Sequence, residues 1–124
     1  MDIRMIQRAW EGYLECALWS SVDDSGEPLD RDYDAACIDD EAQIQMFAEL
    51  VDFIRANWDH CNAVTGIPYS WASVGHDFWL TRNHHGAGFW DRGLGEIGDA
   101  LTDAAYAYGE RDLYVGDDGK LYVS

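Results

Sequence analysis

The sequence predicts an α+β domain in which two to three helices pack on a small antiparallel sheet. Three observations carry that expectation. Apolar residues recur at helical spacing in three separate segments. Two aromatic-rich stretches each turn back through glycine-containing loops, as hairpins do. No segment resembles an interdomain linker, and 124 residues suit one core. The expected order is α-α-ββ-α-ββ, a single domain over residues 1–124 with an acidic arm at about 21–39.

The first helix rests on Ile3, Ile6, Trp10, Tyr13, Leu14 and Ala17, which form one stripe, with Asp2 placed to cap its start. Gly12 within it costs up to about 1 kcal/mol relative to Ala. The segment "SVDDSGEPLDRDYDAACI" (21–38) lacks helical periodicity and carries breakers at Gly26 and Pro28. Leu29, Tyr33, Cys37 and Ile38 are its expected anchors to the body. A second helix is expected from Asp40 to His60, capped by Asp39 or Asp40, with Gln43 in capping-box position. Phe47, Leu50, Val51, Ile54, Trp58 and Cys61 are its expected buried stripe.

From His76 the aromatic run "HDFWLTR" suggests a strand, "NHHGAG" a turn and "GFWDR" the return strand. A third helix is expected over about 94–108, with Leu94, Ile97, Leu101, Ala104 and Tyr108 on one side and Gly109 stopping it. Finally, Leu113–Val115 faces Leu121–Val123 across Asp117, Asp118 and Gly119, a second hairpin.

Charge is the dominant compositional feature. There are 24 acids against eight Lys and Arg, a net charge of −16, yet the chain also has six Trp, seven Tyr and four Phe. Enough apolar surface exists for a core despite the repulsion. Direct nucleic-acid binding and attachment to anionic membranes are disfavoured, since both need Lys and Arg. Cys16, Cys37 and Cys61 are odd in number and widely spaced, which fits buried thiols in a reducing cytoplasm better than a disulfide framework. No signal peptide or membrane-length apolar run is evident.

The charge concentrates between residues 23 and 41. Nine acids stand there against one arginine: Asp23, Asp24, Glu27, Asp30, Asp32, Asp34, Asp39, Asp40 and Glu41. Three readings apply. Asp30, Asp32, Asp34 and Glu41 have the one-three-five-twelve spacing of an EF-hand loop, but Ala35 replaces its glycine and no helix enters it. Alternatively, an extended "DRDYD" places Asp30, Asp32 and Asp34 on one face about 6.6 Å apart, of the order of phosphate spacing along a strand. Such an arm would enter a basic groove in place of DNA, with Glu96, Asp99 and Asp103 extending the anionic surface. The third reading is a solvated face serving solubility.

A separate constellation is "HDFWLTRNHHGAGFWDRG", with His76, Asp77, His84, His85 and Asp91 as potential ligands or acid–base groups. It lacks the HExxH or paired CxxC spacing of a metal site, and no cofactor is implied. Arg82 and Arg92 are expected to pair with Asp77 and Asp91.

"DFWLTRNHHGAGFWDRG" with "LGEIGDALTDAAYAYGERDLYVGDDGKLYV", together with "GEPLD..Y" in the arm, looks like a family of small acidic proteins found in bacteriophages and mobile elements. The resemblance covers residues 25–34 and 75–123. His85, Gly86, Gly88, Trp90, Asp91 and Arg92 match the pattern, whereas His84 stands where the family often has Gly. The resemblance implies a phage-like origin and no particular chemistry.

The expected function is therefore a non-enzymatic, cytoplasmic DNA mimic of anti-CRISPR or anti-restriction type. Its expected partner is the basic DNA-binding groove of a host nuclease or CRISPR surveillance complex. The alternatives are a small hydrolase or metal-dependent enzyme built on His76, His85 and Asp91, and a phage accessory interaction module whose charge serves solubility.

Overall fold

In a computed structural model, which describes residues 2–66 and 68–124, the chain is α+β but mostly helical. Five α-helices are described: α1 (Ile3–Ser20), α2 (Asp40–Ala56), α3 (Trp58–Val64), α4 (Trp71–Arg82) and α5 (Glu96–Tyr106). Short 3₁₀ turns occupy Leu29–Arg31, Ala35–Cys37 and Phe89–Asp91. The described sheet is one antiparallel hairpin, β1 (Leu113–Val115) and β2 (Leu121–Val123), with Tyr114 opposite Tyr122.

The capping expectations hold at both long helices. Asp2 accepts from Arg4 N at 2.9 Å, and Asp39 accepts from Ala42 N at 3.3 Å. Gln43 does not close a capping box; its amide donates to the carbonyls of Ala35 and Ile38. The second helix is shorter than expected. It stops at Ala56, and Asn57 starts α3, which runs past His60 to Val64.

The first expected hairpin is absent. Residues 76–82 belong to α4, and 89–91 form a 3₁₀ turn, so the order is α1–α5 followed by β1–β2. The physical reason lies in burial. Phe78, Trp79, Leu80, Thr81 and Arg82 are all buried, so α4 is surrounded by the core and has no polar face to reveal its helical period. Its aromatic content then imitates a strand. The overlooked local signal is at the helix start, where Ser70 and Ser73 cap each other's backbone.

Helices α1 and α4 cross at glycines. A Cβ on Gly12 would overlap the Ala72 carbonyl, and a Cβ on Gly75 would overlap the Ala9 carbonyl. These glycines let two backbones approach, which offsets the helix-propensity cost noted above. Around the crossing, Tyr13 stacks on Phe78 at 5.6 Å, and Phe78 stacks on Phe53 of α2 at 4.2 Å.

The buried faces keep much of the expected stripes (Ile6, Tyr13, Leu14 and Ala17 in α1; Leu50, Ile54 and Cys61 in α2 and α3) and differ at their edges. In α2 the buried residues are Ala42, Met46, Leu50, Phe53 and Ile54, whereas Phe47 is exposed and Val51 half-buried. In α1, Ile3 is exposed and Trp10 half-buried. In α5, Leu101 is buried along with Gly98, Thr102 and Ala105, while Ile97 and Ala104 are only half-buried. Cys16 and Cys61 are buried thiols, as expected. Among the described residues, no helix is long and apolar enough to cross a membrane.

Candidate functional site

The acidic arm leaves α1 at Ser21 and returns to the body at Asp39. An antiparallel bridge between Val22 and Pro28 closes its first turn. Inside that turn, Asp23 Oδ1 accepts from the backbone N–H of Ser25 at 2.8 Å and of Glu27 at 3.0 Å. Leu29 is buried and donates its N–H to Ser21 O at 2.9 Å. Asp34 Oδ1 accepts from Ala36 N at 3.0 Å, capping the Ala35–Cys37 turn. Ile38 pairs with Leu121 as a parallel bridge, and Asp39 N donates to Leu121 O at 2.8 Å.

The arm is thus tied down by Leu29 and Ile38, with Tyr33 and Cys37 half-buried, as the sequence suggested. It is a loop, as expected, and residues 30–34 do not take the extended form on which same-face carboxylate spacing depends. Asp30 lies in a 3₁₀ turn and Asp32 terminates it in right-handed helical conformation, so the regular same-face carboxylate spacing is lost. The EF-hand spacing meets the same turn, since Asp30 and Asp32 belong to it. Asp34 and Asp39 cap helical turns, and no group of three or more His, Cys, Asp or Glu among the described residues suits a metal ion.

The carboxylates nevertheless point outward. Asp24, Asp30, Asp32, Asp34, Asp40 and Glu41 are exposed, and Asp23, Glu27 and Asp39 are half-buried. Within the arm, the ion pair is Glu27 with Arg31 at 3.0 Å, an exposed pair of small value. At its far end the arm meets the hairpin. Tyr122 OH donates to Asp118 Oδ2 at 2.6 Å, which pushes the phenol up to about 12, with the charge of Asp39 adding to that of Asp118. Asp118 is correspondingly held below the usual carboxylate range. Glu96, Asp99 and Asp103 are also exposed, but α5 packs chiefly on α4 and the Phe89–Asp91 turn.

The cations behave differently. Arg82 is fully buried, donating to Glu49 Oε1 at 2.9 Å, Tyr13 OH at 3.1 Å, Gly109 O at 2.9 Å and Tyr108 O at 3.1 Å. Arg111 completes the cluster by donating to both oxygens of Glu49. Burial pushes the Glu49 carboxyl up, but bonds from Arg111 and Arg82 outweigh it and hold its pKa below the ordinary range. Arg92 pairs with Asp77 at 3.0 Å rather than with Asp91 alone, whose oxygen is 3.7 Å away. Asp77 also accepts from Tyr69 OH at 2.6 Å, and despite burial its pKa is lowered by His76, Arg92 and Tyr69. Of the expected set, Arg92 does pair with Asp77 and Asp91, whereas Arg82 pairs with Glu49 instead.

The histidine constellation does not converge. His76 lies 3.5 Å from Asp77 and stacks on Trp19, lining a small cleft with Glu15 and Cys16. Burial, then the charge of Asp77, pushes the Cys16 thiol up to about 12, which keeps it protonated at neutral pH. His85 is exposed and lines a different, open cleft with Ser21, Asn83 and Arg111. Asp91 caps its own 3₁₀ turn through Gly88 N at 3.1 Å. His84 has a φ of 56°, the left-handed region where Gly is unstrained, and stacks on Tyr106.

The residues missed from sequence fall into two sets. Glu49 and Tyr69 satisfy buried charge, and nothing local marks them for it. Ile44 stands one turn before Phe47 and two before Val51, on the edge of the expected α2 stripe, and both Ile44 and Phe47 stay exposed. No family model, curated protein or solved structure matches the chain.

Proposed function

We propose that the protein is an acidic DNA mimic that inhibits a DNA-binding defence system of a bacterial host, of anti-CRISPR or anti-restriction type. The observation that carries this reading is the segregation of charge. Of the eight Lys and Arg, Arg31, Arg82, Arg92 and Arg111 are engaged in ion pairs among the described residues, and Arg82 is removed from the surface altogether. The acids of the arm remain outside and largely uncompensated. The resulting field steers basic proteins toward the arm and repels polyphosphate.

The arm supports binding in a second way. Its loop is braced by the Asp23 and Asp34 caps and by anchors at Leu29 and Ile38, so its carboxylates are presented with little ordering cost. Its carboxylates follow a curved path rather than a strand, which suits a groove read through field more than through regular phosphate register. The phage-family resemblance of residues 75–123 fits the same setting and assigns no activity.

The test is affinity capture from bacterial lysate with the immobilised protein, followed by elution with duplex DNA. A DNA-binding complex released by DNA, and by salt as the screening length shrinks from about 10 Å at 0.1 M to about 3 Å at 1 M, is the expected result. The Asp30→Lys/Asp32→Lys/Asp34→Lys variant should not retain it. Retention by that variant, or a complex indifferent to salt, sinks the proposal.

A further inference from the structure

Helix α1 carries an apolar row at Ile3, Trp10 and Leu14, with Leu18 one turn on. The 3₁₀ turns of the arm and α2 pack against α1, and Leu14 and Leu18 are buried. The start of the row is left open. Ile3 is 80% exposed, and half-buried Trp10 meets Phe47 of α2 edge-on at 5.3 Å. One turn before Phe47 stands Ile44, 68% exposed. Trp10 and Phe47 thus meet between two helices, and an exposed isoleucine precedes each of them along its own helix.

Acids border this face. Asp40 and Glu41 lie one turn before Ile44 and are exposed, whereas Asp52 is turned toward Tyr108, whose hydroxyl donates to it. Because α2 begins where the arm ends, the apolar face continues directly from the acidic arm. Arg8 lies elsewhere, lining a cleft with Asn62 and Trp71. A second copy of the chain is disfavoured as the occupant, since two surfaces of net charge −16 would meet. An anionic lipid surface is disfavoured for the same reason.

We infer that the Ile3–Trp10–Ile44–Phe47 face docks a basic amphipathic helix of the partner protein. Apolar side chains at helical spacing cover Ile44 and Phe47, and flanking Lys or Arg meet Asp40 and Glu41. The inference rests on the reading that the acidic surface binds a basic protein, and it adds an apolar anchor that charge mimicry alone does not require. Acidic carboxylates would set the rate of encounter, and the apolar face would slow dissociation.

Two synthetic probes test it by titration calorimetry: a helical peptide of about 18 residues with Leu at i, i+3, i+4 and i+7 and Lys elsewhere, and an oligolysine of equal charge. The amphipathic peptide should bind at least about tenfold more tightly, and Ile44→Ser should remove about that factor while leaving oligolysine binding unchanged. Ile3→Ser, at a still more exposed position, gives the same readout should Phe47 substitutions lower stability. Equal binding of both peptides, weakened by neutralising the arm, overturns this inference and leaves the charge reading standing. Binding of neither peptide overturns both. Self-association in sedimentation that Ile44→Ser abolishes assigns the face to a second copy and overturns the inference as well.

Discussion

The crossing of α1 and α4 and the acidic arm handle charge in opposite ways. Beside the crossing, Asp77 and Arg82 are buried, and each is surrounded by partners: Tyr69, His76 and Arg92 for the one, Glu49, Tyr13 and two carbonyls for the other. In the arm, Asp24, Asp30 and Asp32 are exposed and accept no protein hydrogen bond among the described residues. Buried charge must be satisfied or it unfolds the protein, so it fixes geometry. Exposed charge is free of that demand, so it can serve an outside partner. The same residue types therefore hold the fold in one region and generate a field in the other.

The sharpest way to break this contrast is at Arg82. Arg82→Met should cost about 3–5 kcal/mol in urea unfolding, because Glu49 is left with Arg111 alone and two carbonyls lose their donor. A loss under about 1 kcal/mol would place Arg82 with the dispensable surface charges. Gly75→Ala comes next. Helix propensity by itself predicts a gain of about 1 kcal/mol, whereas overlap with the Ala9 carbonyl predicts a net loss of about 2–3 kcal/mol. The sign of the measured change decides whether backbone approach governs the crossing.

Titration tests the paired-charge side of that contrast. Glu49 and Asp77 have folded pKa values below their unfolded ones, so their stabilisation is present above about pH 4 and is lost as pH falls through the lowered values. The thermal midpoint should drop below about pH 4. In Asp77→Asn the acid drop should be smaller, and a full-sized drop would locate the sensitivity elsewhere.

Smaller effects belong to the arm and the turn. Asp30→Asn and Asp32→Asn should each change stability by no more than about 0.5 kcal/mol, and toward greater stability at low salt. A loss of several kcal/mol from either would make the arm a structural element. His84→Gly should be nearly neutral, within about 0.5 kcal/mol, as relief of a left-handed φ of 56° offsets the lost stacking on Tyr106.

By itself the sequence determined the features that depend on near neighbours. Asp2 and Asp39 cap helices because a carboxylate two or three residues from a free N–H has little choice of partner. The Leu113–Val123 hairpin was legible because turn residues and alternation coincide. The acidity of residues 23–41 and their exposure followed from composition, since unpartnered carboxylates stay in water. Tertiary structure alone decided that 76–82 is a helix, because full burial erased its period. It decided that Arg82 answers Glu49, that Gly12 and Gly75 bring two backbones together, and that Ile3 and Ile44 stay outside. The turn at 29–31, with Leu29 buried against the body, was likewise not readable from the sequence. Local rules choose among a few neighbours, whereas these outcomes depend on which distant surface arrives to cover, crowd or neutralise a side chain.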